Sequence, residues 1–269
     1  IAGSVALCRL LQKKKSYYYK TNHFVSISSM VYRMKRNGAG LASICILCTM
    51  VLVMVSSTVC LYIGAEDSLR TRYPRNINLN ATVSSLEMLN SDYKEQVKAL
   101  AEEVSREHGA APENTLDYRY ADFGGYLQGN TLMLELPDSV NQLSEVTNMW
   151  QVFVVPLEDY NRLMGTEETL VPGEAMVFTT KEQQYTQPTI TFGDGAPLTV
   201  KKQAESFVDN GVDAMQIIPT MYLFVPNFDE IVRPLMETEN GTGNVVNLRW
   251  SYGFDLSCDD DTQIQIHEQ

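Results

Sequence analysis

Residues Leu41–Ile63 read LASICILCTMVLVMVSSTVCLYI, with no charged residue, no proline and no glycine. As an α-helix rising about 1.5 Å per residue, this run extends roughly 34 Å, enough to cross a hydrocarbon core of about 30 Å. A core helix of a soluble domain usually keeps a polar face over such a length, and this one has none. A cleaved signal peptide has a shorter apolar region near its N-terminus, whereas 40 residues precede this run. The stretch reads as a membrane-spanning helix.

Charge on its two sides sets the expected orientation. Residues 1–39 hold eight basic side chains (Arg9, Lys13, Lys14, Lys15, Lys20, Arg33, Lys35 and Arg36) and no acid. The remaining 13 basic residues and all 33 acids lie in residues 64–269, for a formal net charge of −20. By the positive-inside rule the basic flank stays in the cytoplasm and residues 64–269 are extracellular. The expected division is therefore 1–12, 13–40 as a basic cytoplasmic segment, 41–63 as the transmembrane helix, and 64–269 as the outer domain. An outer domain so acidic disfavours nucleic acid as a partner and suits a cationic ligand such as a peptide.

Of the five cysteines, Cys45, Cys48 and Cys60 lie in the span and Cys8 in the basic flank. Cys258 stands alone in the outer domain, which therefore has no internal disulfide. That economy favours a bacterial surface protein over a eukaryotic secreted one. The sequons Asn80-Ala81-Thr82 and Asn240-Gly241-Thr242 point the other way, but so short a pattern recurs by chance. The chain begins with Ile and stops within TQIQIHEQ, which reads as a fragment of a longer protein whose C-terminal part is cut. Residues 1–12 (IAGSVALCRLLQ) fit either the end of an earlier span or an ordinary short helix. SYYYK, with tyrosines beside lysines, suits a membrane–water interface.

From His23 to Arg36, apolar Phe24, Ile27, Met30, Val31 and Met34 recur at helical spacing, predicting an amphipathic helix in the inner interface. Asn37-Gly38-Ala39-Gly40 predicts a break before the span. After the span, Ser84 as N-cap with Glu87 three residues on predicts a capping box. Leu86, Leu89, Tyr93, Val97, Leu100 and Val104 then predict one helix over 85–108, with Gly109 as its stop. Strands are predicted at Thr115–Tyr120, Thr131–Leu136, Gln151–Val155, Ala175–Thr179, Thr189–Phe192, Met221–Val225 and Val245–Tyr252. Turn signals separate them at Gly124-Gly125, Gly129-Asn130, Pro172-Gly173, Gly193-Asp194-Gly195 and Asn240-Gly241. VFVVP followed by LEDYNRLMG, and YLFVP followed by NFDEIVRPLM, echo each other as strand, proline and acidic helix start. The expected fold is an α+β extracellular domain following a transmembrane α-helix, a mixed sheet with packed helices and two half-units.

No constellation predicts catalysis, so no catalytic, cofactor-binding or metal residue is assigned and the chain is not expected to be an enzyme. His23, His108 and His267 stand apart without metal-ligand spacing. GxSxG and GxxxxGK[ST] are absent. Asp259-Asp260-Asp261 lacks the spaced ligands and glycine of a calcium loop.

The run KSYYYKTNHFVSISSMVYRMKRNGAGLASICILCTMVLVMVSSTVCLY, from Lys15 to Tyr62, resembles the corresponding stretch of FtsX-like ABC transporter permeases. Within these it is most similar to the Firmicutes branch of bacitracin-export and peptide-sensing (Bce-type) permeases. VFVVPLEDYNRLMG and LVPGEAMVF resemble outer domains of the same proteins more loosely. The resemblance implies a multi-pass cell-membrane permease and a separate cytoplasmic ATPase subunit. It further implies a sensor histidine kinase as a partner, mechanotransmission from ATPase to outer domain, and a role in antimicrobial peptide resistance. No full multi-span unit is present in these residues. The alternative reading is a single-span membrane-anchored sensor or binding protein without a transport role.

Overall fold

The computed structural model describes residues 10, 13, 21–134, 147–181, 183–237 and 246–269. The readings made for residues 1–9, SYYYK, the second sequon and the Asn240-Gly241 turn lie outside them. The chain divides into two units, Ile1–Asp67 and Ser68–Gln269.

One helix, α1 (Thr21–Arg72), dominates the first unit, and its last turn belongs to the second. Its 52 residues extend about 78 Å, more than twice a bilayer core. The portion Ala42–Arg72 is long and apolar enough to cross a membrane; its 18 most apolar consecutive residues have a mean hydropathy of 2.5, and none of them is buried in the protein. Ile44, Leu47, Val51, Leu52, Val55 and Leu61 all stand exposed. An apolar helix with no polar stripe requires an apolar surrounding, and the described residues do not supply one. Within this helix Thr49 and Thr58 turn their hydroxyls back to the carbonyls of Ile46 and Met54, at 2.9 and 2.8 Å, so these two donors are satisfied inside the helix.

The break expected at Asn37–Gly40 is not there, because α1 runs through it. Glycine weakens a helix interior by about 1 kcal/mol but, unlike proline, leaves the backbone hydrogen bonds intact. The faces expected for the segment 23–36 fall mostly on side chains outside the description.

The second unit is built on a nine-stranded mixed sheet. Its elements in order are β1 (Ile77–Val83), α2 (Leu86–Leu89), α3 (Tyr93–Glu107), β2 (Pro112–Gln128), β3 (Thr131–Met133), β4 (Met149–Pro156) and α4 (Leu157–Met164). There follow β5 (Glu174–Thr179), β6 (Thr189–Phe192), β7 (Leu198–Gln203), α5 (Val212–Met215), β8 (Thr220–Val225), α6 (Phe228–Glu237), β9 (Asn247–Leu256) and α7 (Asp260–Glu268). The strand order is β1-β9-β2-β3-β6-β7-β5-β8-β4. Because β2 also pairs with β4, the hydrogen-bonded path returns on itself, and β1 is left at an edge. An α+β domain with a mixed sheet and packed helices is thus present after the apolar helix.

The two echoing segments are neighbours. β4 and β8 run parallel, pairing Val152 with Met221 through Pro156 with Val225, and each leads into a helix. After Gln151 and Thr220 both strands run as continuous buried stretches, Val152–Pro156 and Met221–Val225, because both faces of the sheet are covered there. On one face Val152, Val154, Met221 and Leu223 are fully buried beneath α6 and the α2–α3 segment. On the other, Phe153, Val155, Tyr222 and Phe224 meet Leu157 and Tyr160 of α4 and the segment around Phe207. Burying each such side chain contributes roughly 1.5–3 kcal/mol before conformational entropy is subtracted.

Three local expectations are corrected. The helix expected over 85–108 is two helices, interrupted at residues 90–92. Leu86 and Leu89 drop into the core, and the chain turns there so that Val97, Ala101 and Val104 also face it. The cap is Ser85 rather than Ser84: its hydroxyl accepts from Met88 N at 3.2 Å. Gly124-Gly125 is no turn but mid-strand, paired with Gln151 and Trp150. Gly125 is required there because a Cβ would come within 2.8 Å of Leu132 Cδ2. Strands β1 and β7 carry no expectation from the sequence: INLNATV has asparagines on its exposed side, and LTVKKQ is charged.

Candidate functional site

A polar cavity in the second unit lies on the sheet face that carries the aromatic residues, with a volume of about 480 Å3. Strand alternation builds its floor. Asn78 and Asn80 come from β1, Arg249 and Ser251 from β9, Tyr118, Tyr120 and Asp122 from β2, and Gln151 and Phe153 from β4. Register places these side chains across from one another, since Asn80 pairs with Ser251, Tyr118 with Ser251, and Tyr120 with Arg249. Arg72, Tyr73 and Pro74 line it from the chain just before β1, and residues between Asn210 and Gln216 complete the wall.

Asn210 holds that last segment in place. Its side-chain amide donates to the hydroxyls of Tyr118 and Tyr222 at 2.8 and 3.1 Å, while its carbonyl accepts from Val212 N at 3.1 Å. Gly211 follows with φ of +73°, and a Cβ there would strike the Arg72 carbonyl. Only glycine allows the backbone after the long helix and this wall to approach so closely. Beneath it the rings pack in a row: Tyr120 tilted against Phe153 at 5.4 Å, Phe153 stacked on Tyr222 at 5.0 Å, and Tyr222 tilted against Phe207 at 5.0 Å. These separations suit offset aromatic pairs, which resist deformation of the floor.

Asp122 and Arg249 are the chemically distinctive pair. Asp122 is 8% exposed. Its Oδ2 accepts from Gln151 Nε2 at 3.3 Å and, more weakly, from Asn247 Nδ2 at 3.5 Å. Arg249 Nε lies 2.9 Å from Asp122 Oδ1, close enough for an ion pair. Both atoms are buried and face each other, with no further hydrogen-bond partner. Burial pushes the Asp122 carboxyl above its ordinary value, against the opposing pull of Arg249 and the Asn247 amide. Burial also lifts the Tyr120 hydroxyl to about 12, with the Asp122 charge adding to it. Both phenols facing the cavity, Tyr118 and Tyr120, are therefore neutral donors at physiological pH.

A second polar cluster is structural. Asp159, at the start of α4, accepts from Arg119 N, Arg119 Nε and Arg162 at 2.9, 3.2 and 2.8 Å. Asp117 pairs with Lys98 and accepts from Trp250 Nε1 at 2.7 Å. Every partner is satisfied, and the cluster fastens α3 and α4 to β2 and β9.

The residues weighed in the sequence fall in other places. Asp259 is an N-cap, accepting from Thr262 N and Thr262 Oγ1 at 3.0 and 2.9 Å, which holds its carboxyl below the usual range. His108 meets Gln269 Oε1 at 3.4 Å. Cys45, Cys48 and Cys60 are exposed along α1, and Cys258 is half-buried. Among the described residues no group of His, Cys, Asp and Glu is placed to hold a metal ion. The cavity itself gave no signal in the sequence, because its residues come from four strands and two connecting segments. The nearest hint was Asn80, noticed only as part of a sequon.

No family model matches this chain, and no curated protein matches it. What the site does is therefore read from its own chemistry.

Proposed function

We propose that this chain is part of the permease subunit of an ABC transporter of the FtsX-like kind, lying in the cell membrane with residues 64–269 outside. A separate cytoplasmic ATPase subunit hydrolyses ATP, and the outer domain handles or senses the substrate. The observation that carries this reading is the unbroken helix. α1 continues without interruption to Arg72, and only residues 73–76 separate it from β1. A helix of this length transmits displacement along its axis better than a flexible connection does, because its backbone hydrogen bonds resist compression. Its wholly exposed apolar portion supports a lipid surrounding.

The walls of the cavity also narrow the ligand. An outer domain with net charge −20 suggested a cationic peptide, yet the cavity presents Arg72 and Arg249 against the single carboxylate of Asp122. Cationic peptides and a sensor kinase partner remain part of the proposal only for surfaces away from it.

A second reading is a single-span anchored sensor or binding protein, favoured by the one candidate span among the described residues and by the cavity. One experiment separates the two. The full-length protein is purified in lipid nanodiscs with the ATPase encoded beside it, and ATP hydrolysis is measured. Stable association, with hydrolysis that changes when a Gly-Ser linker is inserted between Arg72 and Ile77, is the expected outcome. Absence of association, or hydrolysis indifferent to the linker, overturns the permease reading and leaves the sensor.

A further inference from the structure

We infer that the cavity walled by Asp122, Arg249, Asn80 and Tyr73 is a saccharide-binding site, taking a neutral mono- or disaccharide. Three observations converge on this chemistry. The first is the paired charge in the floor: Arg249 Nε and Asp122 Oδ1 lie 2.9 Å apart and compensate each other, so the floor favours a ligand without net charge. Each sugar hydroxyl donates and accepts, which suits neutral polar groups beside that pair.

The second observation is composition. Asn78, Asn80, Gln151 and Gln216 bring amides to the wall, and each amide offers donors and an acceptor in one plane. Ser251 adds a hydroxyl. Such groups recognise a ligand by hydrogen-bond pattern rather than by charge. An anion would face Asp122, and a cation would face both guanidinium groups.

The third is the aromatic edge. Tyr73 lines the cavity and is 52% exposed, leaving ring surface free to lie against the C–H face of a sugar. The volume, about 480 Å3, falls within the roughly 300–1,000 Å3 typical of small-ligand sites.

The assignment deepens the reading of the outer domain as the ligand-handling part, but its test needs no ATPase. The full chain in lipid nanodiscs, free of glycosidic detergent, is titrated calorimetrically with glucose, N-acetylglucosamine and N,N′-diacetylchitobiose. Alanyl-alanine and inorganic phosphate are titrated in parallel. Saturable binding of at least one saccharide is expected, weakened roughly tenfold or more by Asp122→Asn and by Tyr73→Ala. Asn80→Ala, on the exposed side of an edge strand, is expected to weaken it as well without altering the melting temperature. That variant keeps the result readable if Asp122→Asn perturbs folding. The inference is overturned if no saccharide saturates, if the dipeptide or phosphate binds in place of the sugar, or if all three variants bind sugar like the parent. A failed titration leaves the permease proposal standing, and a failed ATPase association leaves a positive titration standing.

Discussion

Apolar side chains meet opposite fates in the two units of this chain. In α1, Val51, Leu52 and Val55 are more than half exposed, whereas Val152, Val154 and Leu223 on the sheet are fully buried. The residue types are the same, so the difference lies in what surrounds them. A sheet buries an apolar face against helices from its own chain, while a helix apolar on every side needs a surrounding from elsewhere. The comparison explains why the chain's average composition describes neither unit: residues 1–39 have no acid, and residues 64–269 carry all 33.

Substitutions that act on one unit alone break or sharpen this contrast. Trp250→Ala should have the largest effect, because Trp250 is 1% exposed and its Nε1 donates to Asp117. A loss of about 3–5 kcal/mol in domain stability is expected, read from chemical denaturation by the fluorescence of Trp150, with membrane association unchanged. Leu52→Arg should do the reverse. It is expected to disfavour membrane insertion by roughly 2.5–3.5 kcal/mol, read as the fraction of protein integrated into the bilayer, while the domain unfolds as before. If Leu52→Arg instead unfolds the sheet domain, the two units are not independent.

Smaller effects probe the fastening of helices to the sheet. Asp159→Ala removes the acceptor shared by Arg119 and Arg162, and a loss on the order of 1–3 kcal/mol is expected in denaturant titration. Ser85→Ala should cost about 1 kcal/mol, while Ser84→Ala should leave stability within about 0.5 kcal/mol, since only Ser85 caps α2.

The smallest effect is a pH dependence with two signs. Asp122 has a raised carboxyl in the fold, so its ionised form is disfavoured there. Its contribution therefore improves as pH falls through the raised value and levels off below the unfolded value of about 3.9. Asp259 and Glu87 are lowered, so theirs is present above the unfolded values and lost as pH falls through the folded ones. Melting Asp122→Asn against the parent from about pH 4 to 7 isolates the first sign. The variant is expected to be at least as stable near neutral pH, with its advantage shrinking in acid. An advantage that grows in acid contradicts the assignment.

Much of the architecture was legible because it rests on local pattern. The span declared itself through an uncharged run, and five of the seven predicted strands lie within observed ones, the other two overlapping theirs, because their residues are β-branched or aromatic. The echo of VFVVP and YLFVP foretold two strand–helix units that prove to be adjacent and parallel. What escaped depended on partners distant in sequence. Gly125 resembled a turn but is a strand residue pressed by Leu132. The charged LTVKKQ of β7 carries no strand pattern of its own and is held by pairing with β5 and β6. Asp122 and Arg249 lie far apart in the chain, so no spacing rule could join them.

The account depends on lipid enclosing residues 42–63 while the sheet domain stands outside. A full-length protein with all its native cysteines, the five of this chain among them, replaced by serine, and Ile217→Cys added at a site 94% exposed, tests this directly. Intact cells treated with a membrane-impermeant maleimide should label this cysteine as fully as permeabilised cells do. Labelling that occurs only after permeabilisation would place the domain in the cytoplasm and contradict the account.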